Sequence, residues 1–352
     1  MSAAVTTPTT PTTAAVERAL HGRRADWRGV VFQGALLATL LIALVILSVL
    51  IGNVIRAGLP VFQERGTDFL RSDLSSFPFH FAVAFLACAM ALALRGRRLA
   101  ALAAAAAALL PIAQVAPWYF GREPAPSGAA PPVKLLVANV YYGNREYGRI
   151  QRLIAREDPD VVGLVEVNLD WLHNLAKLRA RYPNFYEVPD ERYVGIGLYS
   201  KLPLANARTL LLPGSGLPAI AATVTTPGGD VEFILVHLPS PTDAALVRRR
   251  DHQAAMLARH VRALARPTVV AGDFNMTMWS RGYRPLVEVG GLANARAGHG
   301  AAPSWPALWR LGIPIDHILA TDGVRLSDFR VLPGVGSDHL PISADFRLGR
   351  SR

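Results

Sequence analysis

Val269-Val270-Ala271-Gly272-Asp273-Phe274-Asn275 is a short apolar run that stops at a carboxylate and an amide. A run of this length, closed by a glycine, has the form of a buried strand, and it sets Asp273 and Asn275 at that strand's end. Two later segments offer side chains of complementary chemistry: Pro314-Ile315-Asp316-His317-Ile318-Leu319 and Gly336-Ser337-Asp338-His339-Leu340-Pro341. Neighbours on a strand face opposite sides, so His317 is expected to point away from Asp316 and to be structural.

Working outward, the sequence from 133 to 352 alternates short β-rich runs with a few helical stretches. The expected strands are 133–140, 161–165, 194–199, 219–225, 231–236, 268–271, 315–320 and 340–346. Helical patterns cover 147–156 and 243–265, the second with Thr242 as its expected cap. Many strands and a few long helices predict an α/β layered sandwich. A Pro-, Ala- and Gly-rich stretch, 123–132, reads as the linker leading into it.

The first third is different. Residues 1–28 combine Thr/Pro/Ala repeats with Arg18, Arg23, Arg24 and Arg28, a composition that cannot bury a core and predicts a disordered, basic tail. Residues 29–122 read as a membrane domain with three transmembrane helices at about 34–55, 77–94 and 99–120. Arg95, Arg97 and Arg98 separate the second and third, and Trp118 and Tyr119 close the third at the expected interface. The positive-inside rule puts that arginine turn and the N-terminus in the cytoplasm. The expected setting is therefore a multi-pass protein of a bacterial-type inner or plasma membrane, with residues 133–352 outside the cytoplasm.

Composition narrows the chemistry without choosing it. The lone Cys88 excludes an internal disulfide and a Cys-based zinc site, and its apolar neighbours suggest a small buried hydrophobe. Net charge is +11, of which +6 falls from Pro131 onward, with 26 basic and 20 acidic residues. That surplus suits nucleic acid, an anionic membrane surface or a phosphorylated small molecule equally. Arg248, Arg249 and Arg250 read as a solvated helix face, His252, His260 and His299 as surface or packing residues, and Trp279 and Trp305 as lining either the site mouth or the core.

The polar residues at strand ends form an ordered set. Asn139, Glu166 and His237 each end an expected strand, Asp273 and Asn275 end the next, and Asp316, Asp338 and His339 follow. The segments Val-Ala-Asn139-Val, Leu-Val-Glu166-Val-Asn, Gly197-Leu-Tyr-Ser200, Leu-Val-His237-Leu, Gly272-Asp-Phe-Asn275, Ile-Asp316-His-Ile and Ser337-Asp-His-Leu-Pro341 resemble, in order, those of the endonuclease/exonuclease/phosphatase superfamily. With Met276-Thr-Met-Trp279-Ser280 and Pro303-Ser-Trp305-Pro306, the resemblance is to its bacterial membrane-anchored branch.

That resemblance implies a four-layer α/β/β/α sandwich with the site at one end of two facing sheets. It implies Mg²⁺ or Mn²⁺ held principally by Glu166, with Asn139 and Asp338 nearby, which suits a hard cation that prefers oxygen ligands. Asp316 would orient His339, Asp273 and Asn275 would position water and phosphate, and His237 would donate to a phosphoryl oxygen. Whether His339 or Asp273 takes the proton from water stays open. The implied activity is phosphoester hydrolysis, as phosphodiesterase or phosphatase, by in-line attack of activated water. The bilayer is one partner, the substrate is nucleic acid or phospholipid, and no protein partner is implied. A catalytically silent membrane sensor or scaffold retaining the fold is the alternative; it would be expected to lack at least one of Glu166, Asp273, Asn275, Asp316 and His339, and all are present.

Overall fold

The computed structural model describes residues 74–121, 130–190, 193–213, 217–307 and 312–349. The expected tail 1–28, the span 34–55 and most of the linker 123–132 lie outside the described residues.

Two helices open the described chain, α1 (Pro78–Leu94) and α2 (Arg98–Val115), and a 3₁₀ turn, Ala116–Tyr119, extends the second. They form a hairpin about Gly96, whose φ of +71° suits a residue without a Cβ. Their limits agree with the expected 77–94 and 99–120, but among the described residues only Arg98–Tyr119, at 22 residues, is long and apolar enough to cross a membrane; α1, at 17, is shorter. Cys88 is exposed on this hairpin, which corrects the expectation of burial: apolar neighbours on a helix open to its surroundings do not enclose one another.

Among the described residues, twelve strands in two six-stranded sheets follow. The first sheet has the order β11-β12-β1-β2-β4-β3, with β1 Val133–Asn139, β2 Val161–Val165, β3 Asn184–Val188, β4 Ile196–Ser200, β11 Val324–Val331 and β12 Ile342–Leu348. The second has the order β5-β6-β7-β8-β10-β9, with β5 Leu204–Leu211, β6 Pro218–Thr226, β7 Gly229–His237, β8 Thr268–Asp273, β9 Leu292–Asn294 and β10 Asp316–Thr321. Alternate side chains of the two inner faces, among them Leu135, Val137, Val165, Leu198, Phe233, Leu235, Val269 and Ile318, form one buried core. The remaining side chains pack outward under helices. On the first sheet these are α3 (Tyr147–Glu157), α4 (Leu169–Asn174) and α5 (Leu178–Arg181); on the second, α6 (Ala244–Ala263) and α7 (Arg284–Glu288). The result is the expected four layers. Strands buried on both faces explain why β1, β2 and β8 read as unbroken apolar runs.

Each sheet holds one parallel pair, β1 with β2 and β7 with β8, and these pairs position the site. In register, Asn139 faces Val165 and His237 faces Asp273, so both pairs end at the same level. Strand β10 runs antiparallel to β8 and begins there, with Asp316 opposite Asp273. Helix α6 starts one residue later than expected from the Thr242 cap, because the Asp243 carboxylate accepts the Leu246 N–H at 2.8 Å. Strands β3, β5, β9 and β11 lie outside the sequence-based expectation; all four are sheet edges and carry mixed polar and apolar residues.

Candidate active site

Gly272 can turn the chain out of β8 only because it lacks a side chain: its φ is +143°, and a Cβ would lie 1.9 Å from the Val236 carbonyl oxygen. The turn delivers Asp273, whose Oδ1 accepts the Asn275 N–H at 2.8 Å. Glu166 and Asn275 both hold left-handed backbone conformations, with φ of 63° and 49°. Non-glycine residues adopt that region only where their surroundings compensate, and both sit at the convergence point.

That point is organised by one amide. Asn139 Nδ2 lies 2.8 Å from Glu166 Oε1, 3.1 Å from Asp273 Oδ2 and 3.4 Å from His339 Nε2. Its Oδ1 accepts the Tyr141 N–H at 2.9 Å, and the Tyr142 N–H donates to Glu166 Oε2 at 3.2 Å. His237 Nε2 stands 3.9 Å from Glu166 Oε1 and 3.7 Å from Asp273 Oδ2. His339 Nδ1 donates to Asp316 Oδ2 at 2.9 Å, leaving Nε2 directed at Asp273 Oδ2, 3.7 Å away. Asn275 Nδ2 donates to the Leu238 carbonyl at 2.9 Å and reaches Asp273 Oδ2 at 3.3 Å. The structure thus gathers Asn139, Glu166, His237, Asp273, Asn275, Asp316 and His339. Asp338 is exposed beside them and turned aside, its Oδ2 accepting the Trp305 indole N–H at 3.0 Å.

Burial and charge set the protonation. Burial opposes a charge on His339, but the Asp316 and Asp273 carboxylates outweigh it and raise its pKa to about 10. Burial likewise raises Asp316, and the His339 imidazolium more than reverses that, leaving Asp316 below the usual carboxylate range. Burial pushes Asp273 up to about 6 and raises Glu166 despite the Asn139 and Tyr142 hydrogen bonds. His237 is lowered by burial. One imidazolium therefore stands among three buried or mostly buried carboxylates, a site short of positive charge.

A hard divalent cation fits that deficit. Asp273, Asp316 and His339 present ligand atoms within 4.8 Å of one another. The hydrogen bond between Asp316 and His339 uses one atom of each, and Glu166 adds a further carboxylate at the same point.

Two buried arginines and a serine support this arrangement from behind. Arg250, expected on a solvated face, is buried and donates to the Asn275 carbonyl at 2.8 Å while paired with Asp251; Arg248 and Arg249 are exposed. The spacing of α6 explains the correction, since Arg250 shares a face with Val247 and Ala254. Arg296, also buried, donates to the Asp316 carbonyl at 2.6 Å and to the Ala301 carbonyl at 3.1 Å. Ser304 Oγ accepts the Asp316 N–H at 3.2 Å, and Ser304 O accepts the Leu340 N–H at 2.8 Å, tying the two halves of the dyad together. His317 faces away, as expected: it lies 2.9 Å from the Met276 carbonyl and 3.1 Å from Asn294 Nδ2, and burial lowers its pKa to about 3. The helical spacing from Val247 to Ala254 is the signal that could have marked Arg250, whereas no local pattern marks Arg296.

Two facing sheets with such a cluster at their shared end define a class of phosphoester hydrolases. The profile of the Endonuclease/Exonuclease/phosphatase family matches residues 136–339, and the chain belongs to that family. A UPF0294 protein of Vibrio cholerae is 28% identical over 228 residues, covering 61% of this chain and 78% of the relative. Among solved structures, an endonuclease/exonuclease/phosphatase protein from Beutenbergia cavernae matches with a TM-score of 0.51 at 23% identity, over 62% of this chain and 72% of its own. D. rerio TDP2, solved with a single-strand DNA product, matches at 0.52 and 18% identity, over 61% and 99% of the two chains. The human Nocturnin catalytic domain with bound sulfate matches at 0.52 and 20%, over 62% and 96%. At these identities the structural likeness establishes a common fold.

Proposed function

We propose that this protein is a membrane-anchored, divalent-metal-dependent phosphoester hydrolase whose catalytic domain lies outside the cytoplasm. The observation that carries the chemistry is the meeting of the Asp316–His339 pair with Asp273 and the Asn139–Glu166 pair: Asn139 Nδ2 donates to Glu166 and Asp273, and His339 Nε2 faces Asp273. Glu166 and Asn139 would hold the ion, which supplies positive charge to phosphoryl and leaving oxygens. Asp273, raised by burial, accepts a proton from the attacking water. The water oxygen bonds to phosphorus as the ester P–O bond opposite it breaks, and the departing oxygen takes a proton from solvent. The imidazolium of His339, held by Asp316, donates to a phosphoryl oxygen and stabilises the charge that develops there. Neutral His237 is a second donor, and Asn275 orients the water.

Anchoring is supported by the hairpin's surface. Only 22% of the apolar window of the Arg98–Tyr119 helix is buried, unlike the core helix of a soluble domain. Leu94, Leu99, Leu102, Leu109, Leu110 and Phe120 are each more than half exposed, a patch that water-soluble surfaces avoid. The end carrying Arg95, Arg97 and Arg98 is opposite the end that touches the catalytic domain, which favours that turn as the cytoplasmic side.

The test is turnover of bis(p-nitrophenyl) phosphate by the full-length protein in detergent. Release of nitrophenol should require Mg²⁺ or Mn²⁺ and vanish in His339→Ala. Equal rates in the variant, or equal rates in excess chelator, would overturn the assignment.

A further inference from the structure

Where the helical hairpin meets the catalytic domain, the two touch without closing. The Trp279 indole N–H donates to the Gln114 carbonyl at 3.0 Å, the Gly300 N–H donates to the Trp118 carbonyl at 2.8 Å, and the Ser76 and Ser280 hydroxyls lie 3.4 Å apart. Between these contacts is a cleft of about 320 Å³ whose walls include Phe79, Tyr119, Trp279, Ala301 and Ile313. That volume is in the range of ligand pockets, roughly 300–1,000 Å³. One wall is formed by Ala301–Pro303 and Gly312–Pro314, and just beyond Pro303 the backbone bridge between Trp305 and Ile313 joins the two segments into a lip. The same lip holds the catalytic pair from its other side, through Ser304 Oγ to Asp316 and Ser304 O to Leu340.

We infer that this cleft seats an acyl chain of a phospholipid substrate, which reaches the site laterally from the bilayer. The inference rests on the hydrolase reading above and names its substrate class. Three observations choose the occupant. The cleft is continuous with the exposed apolar surface of the hairpin, through Phe79 on α1 and Tyr119 and Phe120 after α2, which are 37%, 50% and 72% exposed. Its aromatic rim, Phe79, Tyr119 and Trp279, has the composition of side chains that settle at a membrane–water interface. Among the described residues no Lys, Arg, Asp or Glu lines it, its polar lining being Ser76, His80 and His299, so these residues form no cationic track of the kind a nucleic-acid backbone requires. A lipid seated here would leave its apolar tail against the hairpin and its phosphate toward the wall that carries Asp316 and His339.

Two measurements on the full-length protein test this. In the first, nanodiscs of palmitoyl-oleoyl phosphatidylglycerol and phosphatidylethanolamine contain a phospholipid with a diazirine in its acyl chain, and the photolabelled residues are mapped by mass spectrometry. Labels at Phe79, Tyr119 or Trp279 that fall at least fivefold in Ala301→Phe, a cleft-filling change, are expected. Labels confined to the Leu102 and Leu109 surface, in both proteins, would overturn the proposal. In the second, turnover of long-chain phospholipid in the discs is compared with that of its dihexanoyl analogue. The ratio of long-chain to short-chain kcat/KM should fall at least tenfold in Ala301→Phe. An unchanged ratio, or plasmid DNA cleaved in preference to every lipid, would overturn it. Cleft labelling in a protein that hydrolyses no phosphoester, bis(p-nitrophenyl) phosphate included, would retain the lipid site and remove the hydrolase reading.

Discussion

Replacing Asp316 by Asn removes a buried charge from His339 while keeping the shape of the side chain. The imidazole pKa is raised from the usual 6.5 to about 10, against the opposing pull of burial. At about 1.4 kcal/mol for each tenfold change in proton affinity, the protonated form gains on the order of 5 kcal/mol from its surroundings. Asp316, at 2.9 Å, is the largest favourable contributor and Asp273, at 3.7 Å, the next. Breaking a buried pair by removing one partner costs about 3–5 kcal/mol. In chelator, ¹³C-labelled histidine NMR should therefore show the His339 titration falling from near 10 to below 8 in Asp316→Asn. A histidine raised on folding contributes stability that is complete below its unfolded pKa, near 6.5, and is lost as pH rises through about 10. The stability gap between wild type and variant should accordingly be widest below neutrality and narrow as pH rises through 10. Hydrolysis at pH 7 should fall by about a hundredfold or more, at roughly 1.4 kcal/mol per factor of ten. A titration that stays near 10 in the variant would refute the claim that Asp316 sets the charge of His339.

Three further outcomes are expected. Gly272→Ala puts a Cβ 1.9 Å from the Val236 carbonyl, so denaturant unfolding should show a loss of about 3 kcal/mol or more, or no folded protein at all. Asn139→Ala leaves Glu166 and Asp273 without their shared donor; near-wild-type circular dichroism with a large loss of turnover and a weaker metal titration is expected, and unchanged turnover would remove Asn139 from the site. Leu102→Arg with Leu109→Arg places two charges on the exposed face of α2, each costing about 2.5–3.5 kcal/mol in a membrane interior; the accessibility of the catalytic domain to external protease should change, and an unchanged digestion pattern would argue against insertion of this helix.

The site was legible because catalysis at a sheet end forces unlike residues into short motifs. Asn139, Glu166, His237, Asp273 and Asp316 each interrupt or end an apolar run, and a polar residue at the end of a doubly buried strand is conspicuous. The same contrast marked the central strands and the two apolar helices. It failed at the edges, where β5 and β11 meet solvent on one side and carry residues such as Arg208 and Asp328, so their periodicity is broken. It failed too for Arg250 and Arg296, whose burial depends on backbone carbonyls contributed by Asn275, Ala301 and Asp316.

Local sequence alone determined which residues could do chemistry and which segments had to be buried, because side-chain type and hydrophobic period are properties of a few adjacent residues. Tertiary structure decided which oxygen meets which nitrogen. Asn139 Nδ2 finds Asp273 across 134 positions and His339 across 200, and only the facing of two sheets brings those atoms within 3.1 and 3.4 Å. The cleft beneath Trp279 is likewise a product of two units meeting, since its walls come from α1, the turn after α2 and the loops beside the catalytic pair. No stretch of sequence contains it, because a cavity belongs to the packing of surfaces far apart along the chain.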